Sequence, residues 1–271
     1  MTATWLTVVA WVYLTACFCC ASIVAYDIVV NRRRQHMGIM NFVYPITALY
    51  FGPVALAFYW RWARTDRQPA KRAMPASMAS APLAAVPTAT DGDSGHHDGH
   101  GSDAATSSAR VHHSEQPAAN PKPWWVSIAI EVSHCGSGCA LGDVVSEFAI
   151  FWLALTIAGT TLLAEYVGDY ILALAFGILF QYFAIAPMRG LGLRDGLKAA
   201  AKADFISLTA FEVGLFGWMA VMTFVLFPAP HNLAANSAAF WFLMQTGMII
   251  GYFTSWPANV WLVRRGIKVP M

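Results

Sequence analysis

The chain has 271 residues, 57% of them apolar, 12% charged and 14% aromatic, with a formal net charge of +2. A water-soluble domain carries about 25% charged residues, so a soluble enzyme is not expected, and a charge this close to neutral leaves no footprint for nucleic acid. Long uncharged windows flank a polar stretch rich in Gly, Ser, Ala and His, the pattern of membrane spans joined by a solvated linker.

Residues 1–26 contain no charged side chain, and about 20 apolar residues suffice to cross the hydrocarbon core. This first span lacks a basic start and a small-residue cleavage site, so it is expected to be retained rather than removed as a leader. A second span is predicted over residues 40–62, kinked by Pro45, Gly52 and Pro53, because such breakers survive in lipid only where neighbours re-satisfy the freed carbonyls. Four more follow at residues 144–167, 170–187, 205–227 and 237–263, the third and fourth joined as an antiparallel pair by a short Gly168-Asp169 connection. No period-two segments recur, which disfavours a transmembrane barrel. The predicted fold is all-α, a polytopic transmembrane helical bundle of about six spans. It comprises an N-terminal hairpin (1–63), a disordered His-rich linker (64–122) and a four-helix domain (123–271).

Lys and Arg near span ends set orientation. With both termini inside, most cations, among them Arg189, Arg194, Lys198, Lys202, Arg264, Arg265 and Lys268, face the cytoplasm, and only Arg32, Arg33 and Arg34 lie outside. A rival arrangement makes residues 124–142 an extra short crossing, giving seven spans and an external linker. Six is the preferred expectation.

The linker has almost no large aliphatic side chain, so it cannot bury enough surface to offset its chain entropy. Five of the eight histidines fall within it, as His96, His97, His100, His112 and His113, beside Asp91, Asp93 and Asp98. Imidazole and carboxylate ligate transition metals, and a floppy chain folds around an ion. Weak metal capture and a solvated spacer are the two readings of this stretch.

The most informative segment runs from residue 131 to 147. Glu131, Cys135, Cys139, Asp143 and Glu147 recur every fourth residue, which on a helix stacks them along one face. With His134 beside the first thiol, the set suits zinc or copper(I), the acids taking up protons released on binding. No known zinc signature has this spacing, so a complete site must borrow from another span. Packing is the competing reading, because Gly138 and Gly142 form a small-x-x-x-small pattern. Gly136, Gly138 and Gly142 also weaken a helix, so the segment is a candidate for a broken helix at the membrane edge. Cys17, Cys19 and Cys20 have no adjacent acid or imidazole and read as small apolar residues.

Ionisable groups within spans are expensive and mark function. Glu212 in the fifth span is the clearest, with Asp204 two turns earlier, whereas Glu165, Asp169 and Asp27 are expected at the interface. In the sixth span Met244 and Met248, and the pair Gly247 and Gly251, read as packing.

Several runs carry a resemblance. HCGSGCALGD (134–143), QYFAIAPMRG (181–190), KADFISLTA (202–210) and the ending TSWPAN (254–259) through Gly266-Ile267-Lys268 resemble the bacterial membrane family named domain of unknown function 4396. The likeness covers residues from about 123 onward, and MNFVYPITALY (40–50) resembles an N-terminal hairpin of longer members. It implies a multi-pass protein of a bacterial cytoplasmic membrane and singles out the His-Cys-Gly segment.

Three functions compete. The first is transition-metal handling, of copper or zinc, in which the linker captures an ion and His134, Cys135, Cys139, Asp143 and Glu147 pass it toward Glu212. The second is a membrane thiol redox protein that cycles Cys135 and Cys139, which on one helix have Cα atoms within disulfide range. The third is a non-catalytic accessory subunit of a larger membrane complex, or a homo-oligomer. Haem ligation by His134 is a further cofactor option. The sequence has no phosphate-cradling glycine loop, nucleophile elbow or paired metal-histidine helix motif.

Overall fold

A computed structural model of the chain describes residues 4–35, 37–65, 123–189 and 192–268. The helices are α1 (Thr4–Val29), α2 (Met40–Phe51), α3 (Pro53–Phe58) continued by a π-helical turn (Tyr59–Ala63), α4 (Trp124–Leu153), α5 (Thr161–Arg189), α6 (Leu193–Val221) continued by a π-helical turn (Met222–Leu226), and α7 (Ala238–Arg264). No strand occurs among the described residues beyond an isolated bridge between Ile157 and Thr160. Three stretches among them are long and apolar enough to cross a membrane, Thr4–Val29, Thr161–Ala184 and Asp204–Leu226.

Helix α4 differs from those three because every residue from 128 to 140 is buried. A helix enclosed on all sides rests on protein rather than lipid. Leu208, Phe211 and Leu215 of α6 and Met244, Met248 and Tyr252 of α7 pack against Val132, Cys135 and Cys139 on one flank of α4. Val24 and Ile28 of α1, with Val43 and Ala48 of α2, pack against Val126 and Ile130 near its start. Polar side chains on α4 are therefore shielded from acyl chains by its neighbours.

The kink predicted in the second span is a full break. Gly52 adopts φ +55°, which favours glycine, and Pro53 starts α3. Proline has no N–H, so the Leu49 carbonyl loses its helical donor. Gln245 of α7 replaces it, its Nε2 donating to Leu49 O at 2.6 Å, while Tyr13 of α1 donates its hydroxyl to Tyr50 O at 2.7 Å.

The third and fourth spans require correction. Residues 144–167 are not one helix: α4 ends at Leu153, Ala154 caps it in the left-handed region with φ 49°, and α5 starts at Thr161. Gly168-Asp169 is not a connection but lies inside α5, where a Cβ on Gly168 would collide with Ser146 Oγ. Close helix approach, rather than a turn, requires this glycine. Nor is the glycine-rich segment broken or a separate short crossing, since 124–142 lies within the continuous α4. A Cβ on Gly138 would lie 2.7 Å from Gly177 Cα, and one on Gly142 would overlap the Leu172–Ala173 backbone, so both glycines let α5 sit directly on α4. Helix α6 begins earlier than residue 205, at Leu193, with a polar first section containing Arg194, Asp195 and Lys198. The prediction for 237–263 holds closely: Ser237 Oγ accepts from Phe240 N at 3.2 Å and caps α7.

Two of the acids expected at the interface are shielded from solvent by neighbouring side chains. Asp27 is 4% exposed and accepts from Arg64 Nε at 2.9 Å and Nη2 at 3.1 Å, from Asn31 at 2.9 Å and from Tyr59 at 3.2 Å. Asp169 is fully buried, and Glu165 is half-buried. The linker reading, with His96, His97, His100, His112 and His113, lies outside the described residues.

Candidate functional site

All five ladder residues are buried on α4. At about 1.5 Å rise per residue, Glu131 and Glu147 lie about 24 Å apart along the axis. The neighbouring helices divide the ladder into two groups.

The first group surrounds a lysine. After α7 the chain turns at Gly266, φ +67°, and Lys268 enters the bundle with 3% of its surface exposed. Its Nζ lies 2.6 Å from Asp204 Oδ1 and donates to Ser207 Oγ at 3.0 Å and Asn259 Oδ1 at 2.9 Å. Glu131 Oε1 is 3.1 Å away, at ion-pair distance but off the hydrogen-bonding direction. Ser207 in turn donates to Asp204 Oδ1 at 2.8 Å, and Cys135 Sγ donates to Ser207 Oγ at 3.5 Å. Burial alone would draw the ammonium's pKa down; the carboxylates of Asp204 and Glu131 reverse this and hold it above its ordinary value, so Lys268 stays charged. Lys268, counted among the basic residues beyond the last span, is thus buried inside the protein rather than free at the helix end. The missed signal was the pair of buried acids Glu131 and Asp204, which need a buried cation.

His134 turns from the ladder toward Phe180, ring centroids 6.4 Å apart, and neither nitrogen meets a hydrogen-bond partner at good geometry among the described residues.

The second group is acidic throughout. Glu212 of α6 faces the Cys139 thiol, Asp143 lies within the fields of Glu212, Asp169 and Glu147, and Glu147 lies beside Asp169 and Glu165 of α5. None of these carboxyl groups belongs to an ion pair among the described residues; Asp169 stands against Ser146 and Glu147, Glu212 against the Cys139 thiol, and neither oxygen of Asp143 meets a hydrogen-bond partner at good geometry there. Glu147 and Glu165 also line a cavity of about 400 Å³ between the 154–160 turn and the segment after α6.

The structure thus brings Cys139, Asp143, Glu147 and Glu212 together and sends Asp204 and Cys135 to the lysine. No group of three or more His, Cys, Asp or Glu among the described residues is placed to hold a metal ion. All five cysteines are free thiols. Met244 and Met248 are buried in the core, and a Cβ on Gly251 would lie 2.8 Å from Phe211 O, which is the packing expected of them.

Apolar helices enclosing a polar axis define a helical membrane protein with an ionisable core. The model of the family described as Domain of unknown function (DUF4396) matches residues 124–268, and the chain belongs to that family. The match begins with the first residue of α4 and ends on Lys268, so it takes in both groups. No curated protein and no solved structure matches the chain.

Proposed function

We propose that the protein is a multi-pass protein of a bacterial cytoplasmic membrane, with six helical rods crossing it, and that the polar axis of α4 carries protons between its two ends. The observation behind this reading is the row of buried carboxyls Glu147, Asp169, Asp143 and Glu212, which have no counter-cation among the described residues. Beyond it, Cys139, Cys135 and Ser207 lead to Asp204 and Lys268. Carboxyl, thiol and hydroxyl groups each donate and accept protons, and an axis of about 24 Å covers most of a hydrocarbon core about 30 Å thick. Facing carboxylates repel in a medium of low dielectric, so a mobile proton shared among them lowers their energy. Intramembrane acids facing a bundle interior are the usual parts of proton relays.

The test is proton uptake into vesicles reconstituted with the full chain, driven by a potassium diffusion potential and read by an internal pH dye. Uptake is expected above that of empty vesicles and reduced at least tenfold by Asp143→Asn or Glu212→Gln. Equal uptake in empty, wild-type and variant vesicles sinks the relay. Stoichiometric copper or zinc on the purified protein, lost with Cys135→Ser and Cys139→Ser, would give these side chains to metal handling instead.

A further inference from the structure

The cavity of about 400 Å³ beside Glu147 has a composition that the relay alone does not explain. Its polar lining includes Glu147, Glu165 and Asn232, its apolar wall includes Phe151, Phe227 and Phe240, and no Lys, Arg or His lines it. Glu147 is 1% exposed, and its Oε1 has no hydrogen-bond partner. Asp169 and Asp143 stand behind it, so the cavity's inner wall is backed by carboxyl groups that have no cation beside them among the described residues.

The volume lies within the range of small-molecule sites. An inorganic divalent ion needs several converging oxygens, and no such group occurs among the described residues. An anion would meet Glu147 and Glu165 with no cationic side chain to offset them. A neutral apolar molecule would fill the aromatic wall but leave the Glu147 oxygen without a hydrogen-bond partner, which is costly in a partly dehydrated site. A cation with an apolar body satisfies both surfaces: its N–H groups supply donors to Glu147, and its charge can also rest against aromatic rings. Trp152, Leu153, Leu155 and Ile157, all exposed on or beside the turn that borders the cavity, form an apolar rim that such an amphipathic molecule can cross.

We propose that this cavity binds a small organic ammonium ion, its ammonium group on Glu147 with Glu165 at the rim, and its apolar group against Phe151, Phe227 and Phe240. The site adjoins the acid row but does not require proton movement.

Calorimetric titration of the full chain in detergent tests it, with phenethylammonium as probe and 2-phenylethanol as its neutral counterpart. Saturable binding of the ammonium is expected, with affinity at least tenfold above that of the alcohol. Glu147→Gln should weaken it at least tenfold. Thr156→Trp, at an exposed loop position lining the cavity, should abolish it while leaving the core untouched, so a poorly folded Glu147→Gln does not decide the matter. Absent binding, equal binding of amine and alcohol, or binding unchanged in folded Glu147→Gln and Thr156→Trp overturns the proposal. No gradient is present in this measurement, so lost binding with intact vesicle uptake removes the ligand alone, and the converse removes the relay alone.

Discussion

Lys268 Nζ contacts Asp204 Oδ1 at 2.6 Å across 64 residues of chain. The turn at Gly266 makes the contact by folding the end of the chain back into the bundle. Around that one ammonium stand Glu131 of α4, Asp204 and Ser207 of α6 and Asn259 of α7. The lysine therefore ties three helices together at the end of α4 away from the acid row.

Lys268→Met leaves Glu131 and Asp204 facing each other without a counter-charge. Removing one partner of a buried pair costs about 3–5 kcal/mol. A clearly lowered thermal midpoint in detergent is expected, and Asp204→Asn in the same chain should recover much of the loss. The two single variants and the double variant form a cycle that isolates the pair; additive effects would show that the ammonium and carboxylate do not support one another.

The pH dependence has a defined sign. The folded-state value of Lys268 lies above the ordinary lysine value, which is about 10.4 in the unfolded chain. Its contribution is then complete below about pH 10.4 and disappears as pH rises through the folded value. Wild type should lose stability above about pH 10.4 more steeply than Lys268→Met, as read from unfolding midpoints at each pH. Parallel alkaline limbs would contradict a charged, buried lysine.

How much of this was legible depended on whether a signal was local. The uncharged run of α1 and the Ser237 cap of α7 act within a few residues, and both helices were placed closely. The ladder followed from period four on one helix. Gly168-Asp169 misled because glycine and aspartate are turn formers, whereas this glycine serves the approach of Ser146 and this aspartate serves the acid row. The true turn uses Ala154 and Ala158 at positive φ, along with Gly159, and most of it has no turn composition. Lys268 follows Arg264 and Arg265, so it counted as one more cytoplasmic charge. Only the fold shows it turning inward.

Gln245→Leu should expose the weakness at the break between α2 and α3. The Leu49 carbonyl has no helical donor because residue 53 is proline, and Gln245 Nε2 supplies one at 2.6 Å. A buried acceptor left without a partner costs about 1–3 kcal/mol. Stability should drop by that order, with faster amide exchange confined to the residues around Gly52. Gln245→Glu does not rescue, since a carboxylate has no N–H to give. Unchanged exchange at Gly52 in Gln245→Leu would mean that the break needs no support from α7.

Gly142→Ala tests the seam that aligns the acid row. A methyl group there would overlap the Leu172–Ala173 backbone, which cannot rotate away as a side chain can. Overpacking costs about 1–3 kcal/mol, and relief comes only if α5 moves off α4, which would also separate Asp143 from Asp169. Gly217→Ala on α6 is the control: its added methyl group meets nothing within 4 Å, and alanine favours a helix over glycine by about 1 kcal/mol. The two substitutions should therefore shift the thermal midpoint in opposite directions, and Gly142→Ala alone should reduce proton uptake in vesicles. A stabilising Gly142→Ala would show that α4 and α5 are not in direct backbone contact, and the row of acids between them would lose its alignment.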